Sequence, residues 1–284
     1  MQRLLACCLL AATLSRIDVL AQNQNQNQNL NLNETIDLEK LSKLVLPPKF
    51  QTRVVGGRVT TNEKLGGYLI AMRYENEFIC GGALIHDLIV LTAAHCFLGR
   101  MKLNEWLAVG ATSRLFDKGI QRQVKEIIKS AQFREVDMNM DVAVVRLKKP
   151  MKGKGIGKLS LCSTHLKPGL ELVVSGWGMT DSRGTRPHKL LRTVTVPILD
   201  KRTCRASYSP AVNITDSMFC AGVLGKKDAC TFDSGGPLVY KKQICGIVSF
   251  GIGCASRRYS GVYTDIMYVK PFIEKSIKEL LGKG

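Results

Sequence analysis

The sequence predicts an all-β protein of barrel or sandwich type, closed by one C-terminal helix. Three observations carry this. Short apolar segments alternate with Gly- and Pro-containing turns: Tyr68–Arg73, Leu84–Val90, Ala143–Leu147, Leu172–Ser175, Val194–Ile198 and Ile244–Phe250. That spacing of short runs is the pattern of strands in barrels and sandwiches. Only the end of the chain shows a convincing helical stripe, with Val269, Phe272, Ile273, Ile277, Leu280 and Leu281 at helical intervals. Finally, an even set of cysteines follows the N-terminal segment, the pattern of a disulfide-stabilised extracellular fold. No internal repeat interrupts the pattern.

The first 21 residues read as a signal peptide. Arg3 gives the positive start, Leu4–Leu14 is an apolar run too short to span a bilayer, and Val19-Leu-Ala21 suits a cut after Ala21. Cys7 and Cys8 leave with it. No other stretch is long and apolar enough for an anchor, so a secreted, soluble product without a membrane partner is expected. Residues 22–53 read as a propeptide. Gln22–Asn29 is a Gln/Asn repeat without hydrophobic content. Asn33-Glu-Thr35 is a glycosylation sequon, and Leu38–Leu46 is a weak helical pattern stopped by Pro47-Pro48. The propeptide has no cysteine, so no bridge tethers it to the rest.

Gln51-Thr-Arg-Val-Val-Gly-Gly57 places one basic residue before an apolar, glycine-backed start, at the edge of the low-complexity segment. It reads as a processing site after Arg53. Cleavage there frees the α-amino group of Val54, and such an ammonium is tolerated inside a protein only against a buried carboxylate. Asp233 is the candidate. Residues 54–284 then form the folded domain, long enough for a sizeable core in one piece or two packed halves.

The formal charge is +18, and residues 1–53 hold only six Lys/Arg against four Asp/Glu, so the excess sits in the folded part. A field of this sign favours acidic partners, which makes a polyanion a candidate ligand. The Lys148–Lys158 loop is the densest basic stretch and reads first as a solvated face. The basic residues are not interleaved with aromatics and no nucleic-acid module occurs, so no nucleic-acid partner is expected. A zinc site is equally disfavoured, because no CxxC pair is present and the four histidines are not clustered. Neither a metal nor a cofactor is expected.

Three separated segments carry chemistry. Asp228-Ala-Cys-Thr-Phe-Asp-Ser-Gly-Gly-Pro237 sets Ser234 beside an acid and a tight turn. A serine hydroxyl becomes a nucleophile only when a base takes its proton and backbone N–H groups hold the oxyanion. Leu91-Thr-Ala-Ala-His-Cys96 follows an apolar strand and puts His95 beside a cysteine that can pin it. Asp141 opens the apolar run Asp-Val-Ala-Val-Val-Arg-Leu147. Each is commonplace alone. Together they supply nucleophile, base and orienter.

VVGG, LTAAHC, the Asp141 strand, Ser175-Gly-Trp-Gly178, DACxxDSGGP and Ser260-Gly-Val-Tyr263 occur in this order. In this order and spacing the chain resembles the trypsin-like branch of the chymotrypsin-fold serine endopeptidases, from Val54 to about Leu281. The resemblance implies two six-stranded antiparallel β-barrels with the active site between them, and a C-terminal helix. It implies disulfides Cys80–Cys96, Cys162–Cys245, Cys204–Cys220 and Cys230–Cys254. It makes His95, Asp141 and Ser234 the catalytic triad, with the N–H groups of Phe232 and Ser234 as oxyanion hole. Ser249 matches the serine bonded to the triad aspartate, and Asp233 the acceptor of the Val54 ammonium. Asp228 matches the floor of the primary specificity pocket and Gly251 and Gly261 its open walls, so cleavage after Arg or Lys is implied.

Departures from that pattern bear on efficiency more than on reaction type. Phe232 stands where glycine is usual. It keeps its N–H, but its bulk would project over the leaving-group side, and loss of one oxyanion donor costs roughly 10²–10³ in rate. Thr231 replaces a longer polar residue, Ala229 a pocket hydroxyl, and Phe250 the tryptophan after Ser249. The stretch Ala111–Gln121 lacks the paired glutamates of the family's calcium loop, so no calcium is expected. The expected product is a secreted zymogen, monomeric, matured by an upstream protease, cleaving protein substrates after Arg or Lys, and open to a serpin-type inhibitor. Arg53 itself suits the implied pocket, which makes self-activation a further expectation. The alternative is a catalytically impaired homologue that binds proteins through the same fold, with Phe232 as its signature. Asn213-Ile-Thr215 is a second sequon, expected on a loop before Cys220. His86, His165 and His188 read as surface or packing residues.

Overall fold

The computed structural model of the chain describes residues 57–178, 187–226, 233–253 and 256–282. These lie in the unit Pro48–Gly284. The first half is a closed six-stranded antiparallel barrel of β2 (Leu69–Tyr74), β3 (Glu77–His86), β4 (Ile89–Thr92), β5 (Trp106–Gly110), β6 (Ile120–Lys129) and β7 (Ala143–Leu147). The order around it is β2-β3-β4-β7-β6-β5, and β5 pairs back onto β2. Bulges at Met72/Arg73, Leu84/His86 and Val124/Glu126 bend the strands enough to close it. Leu69, Ile70, Met72, Leu84, Ile89 and Leu91 are fully buried. The run Leu84–Val90, expected as one strand, is two: the chain turns at Asp87-Leu88, and the Leu88 N–H is held by His86 Nδ1 at 3.2 Å. Only the polar pair His86-Asp87 marks the reversal within the apolar run.

The second half departs from expectation. In place of a second closed six-stranded barrel, the structure forms an open, eight-stranded sheet. Its elements are β1 (Arg58–Val59), β8 (Ser160–Leu161), β9 (Glu171–Gly176), β10 (Arg192–Pro197), β11 (Met218–Ala221), β12 (Pro237–Tyr240), β13 (Gln243–Phe250) and β14 (Gly261–Asp265). The path runs β1-β10-β9-β12-β13-β14-β11, with β8 parallel to β13. The seam between β10 and β11 has only one bridge, Ile198 to Ala221, flanked by Leu199 N–H to Cys220 O and Gly222 N–H to Pro197 O. Two features stop it from extending. Pro197 has no N–H to donate, and β11 ends at Ala221.

Among the described residues three α-helices complete the fold: α1 (Asn62–Leu65), α2 (Lys201–Tyr208) and α3 (Ile266–Gly282). α3 begins three residues before its apolar stripe, because Asp265 Oδ1 accepts the Met267 N–H at 2.9 Å. It buries Ile266, Val269, Ile273, Ser276 and Leu280 at alternating steps of three and four, and packs against β13, β14, β8 and the barrel strand β7. α2 has no apolar stripe to betray it. Only Cys204 and Tyr208 are buried, Asp200 caps it by accepting the Thr203 N–H at 3.0 Å, and Cys204 is bonded to Cys220. Among the described residues no helix is long and apolar enough to cross a membrane.

Candidate active site

His95 sits on a 3-10 turn, Ala94–Phe97, directly after β4. A disulfide from Cys96 to Cys80 ties that turn to β3. Asp141 lies just before β7 and is fully buried. Its carboxylate is enclosed by donors. His95 Nδ1 approaches Oδ2 at 2.7 Å, the His95 N–H donates to Oδ1 at 2.9 Å, and Ser249 Oγ donates to Oδ2 at 2.5 Å. The His95 side chain keeps 18% of its surface exposed, so the pair has one open side. Burial works against a charged imidazole, but the charge and hydrogen bond of Asp141 outweigh it and hold the His95 pKa above its ordinary value. Burial likewise opposes the Asp141 carboxylate. The charge of His95, its two hydrogen bonds and that of Ser249 outweigh this and hold the Asp141 pKa below the usual range.

The Ser234 segment is fixed from both halves. The Ser234 carbonyl accepts the Gly81 N–H of β3 at 2.8 Å, next to the Cys80–Cys96 bridge. Gly235 donates to Val248 O and Val248 to Gly236 O, both at 2.9 Å, which fastens the segment to β13 one residue before Ser249. Gly235 has φ +77°, and a Cβ there would lie 2.2 Å from Thr92 Oγ1 and 2.6 Å from Gly81 O. The chain therefore passes directly against Thr92, three residues before His95. Ser234, His95 and Asp141 come from separate parts of the chain, and these bonds bring their segments to one seam between barrel and sheet.

Asp233 is 1% exposed and accepts the Gly178 N–H at 2.8 Å. A Cβ on Gly176 or Gly178 would fall 1.9 or 2.0 Å from its carboxylate oxygens, so both glycines of the Ser175-Gly-Trp-Gly178 motif are required by this carboxylate. Trp177 between them is fully buried, edge-on to Phe78 at 5.6 Å. Gly251 and Gly261 are buried, and Gly261 opens β14. Phe250 is buried edge-on to Tyr208 at 5.9 Å. Disulfides also join Cys162 to Cys245 and Cys204 to Cys220. Asn213 is exposed between α2 and β11. Arg53, Val54, Asn33, Asp228, Cys230, Phe232 and Cys254 lie outside the described residues. Among those described, the one group with metal-ligand geometry is Cys80, His95 and Cys96, and both sulfurs are spent in a disulfide.

Sequence reasoning missed three contributors. Thr264 Oγ1 donates to the Asp141 carbonyl at 2.8 Å. Gly81 donates to Ser234 O, and Ser217 bonds the backbone beside Asp141. None stands in a motif that announces it. Each acts through a contact far away in sequence.

The family model named Trypsin matches residues 54–273, which include all three of these segments. The chain belongs to the trypsin family. It is a trypsin-like serine endopeptidase with the His–Asp pair in place. It is 65% identical to Seminase of Drosophila melanogaster over 284 residues, all of both chains. It is 35% identical to the Vitellin-degrading protease of Bombyx mori, covering 80% of this chain and 87% of that one. The same identity relates it to Trypsin II-P29 of Gallus gallus, over 79% and 89%. Among solved structures, the mouse brain serine protease neuropsin superposes with a TM-score of 0.72 at 29% identity, covering 79% of this chain and all of the other. The trypsin family thus accounts for the protease domain, and the likeness to Seminase extends through residues 1–53.

Proposed function

We propose that the chain is a secreted zymogen that, after cleavage behind Arg53, hydrolyses protein substrates after Arg or Lys by a Ser-His-Asp acyl-enzyme mechanism. The observation that carries this is the buried His95–Asp141 pair, open on one side, with the Ser234 segment locked against the same seam. His95 spends Nδ1 on Asp141, so Nε2 takes the Ser234 proton as Oγ attacks the scissile carbonyl. Asp141 stabilises the resulting imidazolium, and the backbone N–H groups of Phe232 and Ser234 receive the oxyanion. Collapse of the tetrahedral intermediate breaks the C–N bond, and His95 returns the proton to the departing amine. Water then attacks the acyl-enzyme with His95 again as base. Asp228 is assigned the carboxylate that receives a substrate Arg or Lys, and Gly251 and Gly261 are assigned to the open walls of the pocket.

Activation rests on Asp233. It is buried and accepts the Gly178 N–H, and a buried carboxylate of this kind is the group that tolerates the Val54 ammonium inside the protein. The enclosed, donor-rich Asp141 speaks against the impaired homologue, since such an arrangement serves the imidazolium of a working base. The test is active-site titration. The purified zymogen is cleaved after Arg53, a Val54 N-terminus is confirmed, and a fluorescent phosphonate with Arg at the first specificity position is added beside a small Arg amide. Labelling of Ser234 with turnover is the expected result. Folded, correctly cleaved protein that neither labels nor turns over would overturn it.

A further inference from the structure

We propose that Ser217 is a positioning residue: through the Met140 N–H it fixes the backbone turn that aims the Asp141 carboxylate at His95. The inference rests on the reading of His95 and Asp141 as base and orienter, and adds what holds that pair in register.

The chain enters Asp141 in an unusual way. Met138 and Met140 both have positive φ, +56° and +54°. Side chains other than glycine take up this region rarely, and keep it when surrounding contacts impose it. The Met140 carbonyl then accepts the Val142 N–H at 2.8 Å, which puts Asp141 at the apex of a three-residue turn. Rotation about Met140 therefore swings the carboxylate directly.

The contact that imposes this conformation comes from the other half of the molecule. Ser217 Oγ accepts the Met140 N–H at 3.1 Å across 77 residues of sequence, and Ser217 is 1% exposed. Its hydroxyl is itself oriented by Asn139 Oδ1 at 3.2 Å and Thr215 Oγ1 at 2.9 Å. The Ser217 carbonyl accepts the Asp265 N–H at 2.8 Å, and the preceding Thr264 donates its hydroxyl to the Asp141 carbonyl at 2.8 Å. Neighbouring strands of the sheet, β13, β14 and β11, thus bring three hydroxyls to one short segment. Ser249 takes the carboxylate, Thr264 the carbonyl, and Ser217, one residue before β11, the N–H ahead of it. Loss of Ser217 Oγ leaves the buried Met140 N–H without its acceptor and frees the turn to leave its positive φ.

The test compares wild type, Ser217→Ala, and Ser217→Ala with Met140→Gly, each quantified by active-site titration. Glycine takes up φ near +54° without steric cost, so it removes the strain that drives the turn away once the hydroxyl is gone. Ser217→Ala is expected to lower kcat per titrated site by at least about fivefold with KM nearly unchanged, as for a misplaced catalytic group. It also moves the acid limb of kcat/KM towards the ordinary imidazole value. The charged groups acting on His95 are Asp141 and Arg100, and only Asp141 is displaced. Adding Met140→Gly returns both readings to within about twofold of wild type. Wild-type kcat and acid limb in Ser217→Ala, or failure of Met140→Gly to restore them, overturns the proposal. If Ser217→Ala does not fold, Asn139→Ala combined with Thr215→Ala removes both orienters of the hydroxyl and is read the same way, with an unchanged kcat and acid limb counting against the proposal. His95→Ala separates the two readings: full activity there refutes the base assignment itself.

Discussion

Replacing Gly235 by alanine tests the claim that the Ser234 segment is fixed against the barrel by direct backbone contact. The new Cβ would stand 2.2 Å from Thr92 Oγ1, 2.6 Å from Gly81 O and 3.2 Å from the Ala93 nitrogen, at a φ of +77°. Thr92 offers little relief, because its hydroxyl is already bonded to Gly81 O at 2.8 Å, and the carbonyl and amide are backbone. Ordinary contact begins near 3.4 Å, so the segment must retreat by roughly 1 Å. The strained φ costs about 1–2 kcal/mol and the overpacking about 1–3 kcal/mol more. A displacement of about 1 Å in a catalytic group costs on the order of 10²-fold in rate. Gly235→Ala is therefore expected to fold with a lowered melting temperature and to lose about two orders of magnitude in kcat. The assay is hydrolysis of an Arg amide normalised to titrated sites, with melting followed by circular dichroism. Folded protein that retains kcat within about threefold of wild type would refute the packing argument.

Other expectations follow from the same geometry. His95 must be neutral to act as base and its pKa is raised by Asp141, so kcat/KM falls on the acid side at a pH above the ordinary imidazole value of about 6.5. Asp141→Asn is expected to lower that limb and reduce kcat by about 10⁴, the usual size for a serine triad, measured in a pH–rate profile. The pair also links pH to stability. The raised His95 contributes stability below its unfolded pKa that is lost as pH rises through the folded one. The depressed Asp141 contributes above its unfolded pKa, and that share is lost as pH falls through the folded one. Denaturant midpoints should decline on both flanks, and the His95 contribution should vanish in Asp141→Asn. Cys80–Cys96 and Cys204–Cys220 span equal separations of 16 residues, so removing either as an alanine pair should cost about 3 kcal/mol. Only the first carries the His95 turn, and only its loss should lower kcat. Lys241 and Lys242 turn the β12–β13 hairpin with φ of +45° and +62°, so Asn-Gly in their place should raise stability by about 1 kcal/mol in a thermal melt.

The strands most legible in the sequence were those with runs of mostly apolar residues, Arg146 and Ser249 being buried exceptions. Ala143–Leu147 was placed residue for residue, and Ile244–Phe250 and Leu172–Ser175 to within one residue at each end, because strands buried on both faces write their burial into composition. The split of Leu84–Val90 is marked in the sequence only by the polar pair His86-Asp87, too short a break to set apart two apolar strands. α2 was hidden because a disulfide and a cap hold it, with almost no apolar face.

By itself the sequence determined the chemistry available: a serine, a histidine and an aspartate in motifs whose order identifies the family, and glycines where a side chain could not fit. Tertiary structure alone decided how these meet. An open second sheet follows from a proline and a strand end at one seam, which no pattern of hydrophobicity encodes. The clamp on Asp141 joins residues up to 123 positions apart, Thr264 and Asp141 among them. A hydroxyl carries no sign in the sequence of which distant carbonyl or N–H it will meet, and only the packing of sheet against barrel assigns it one.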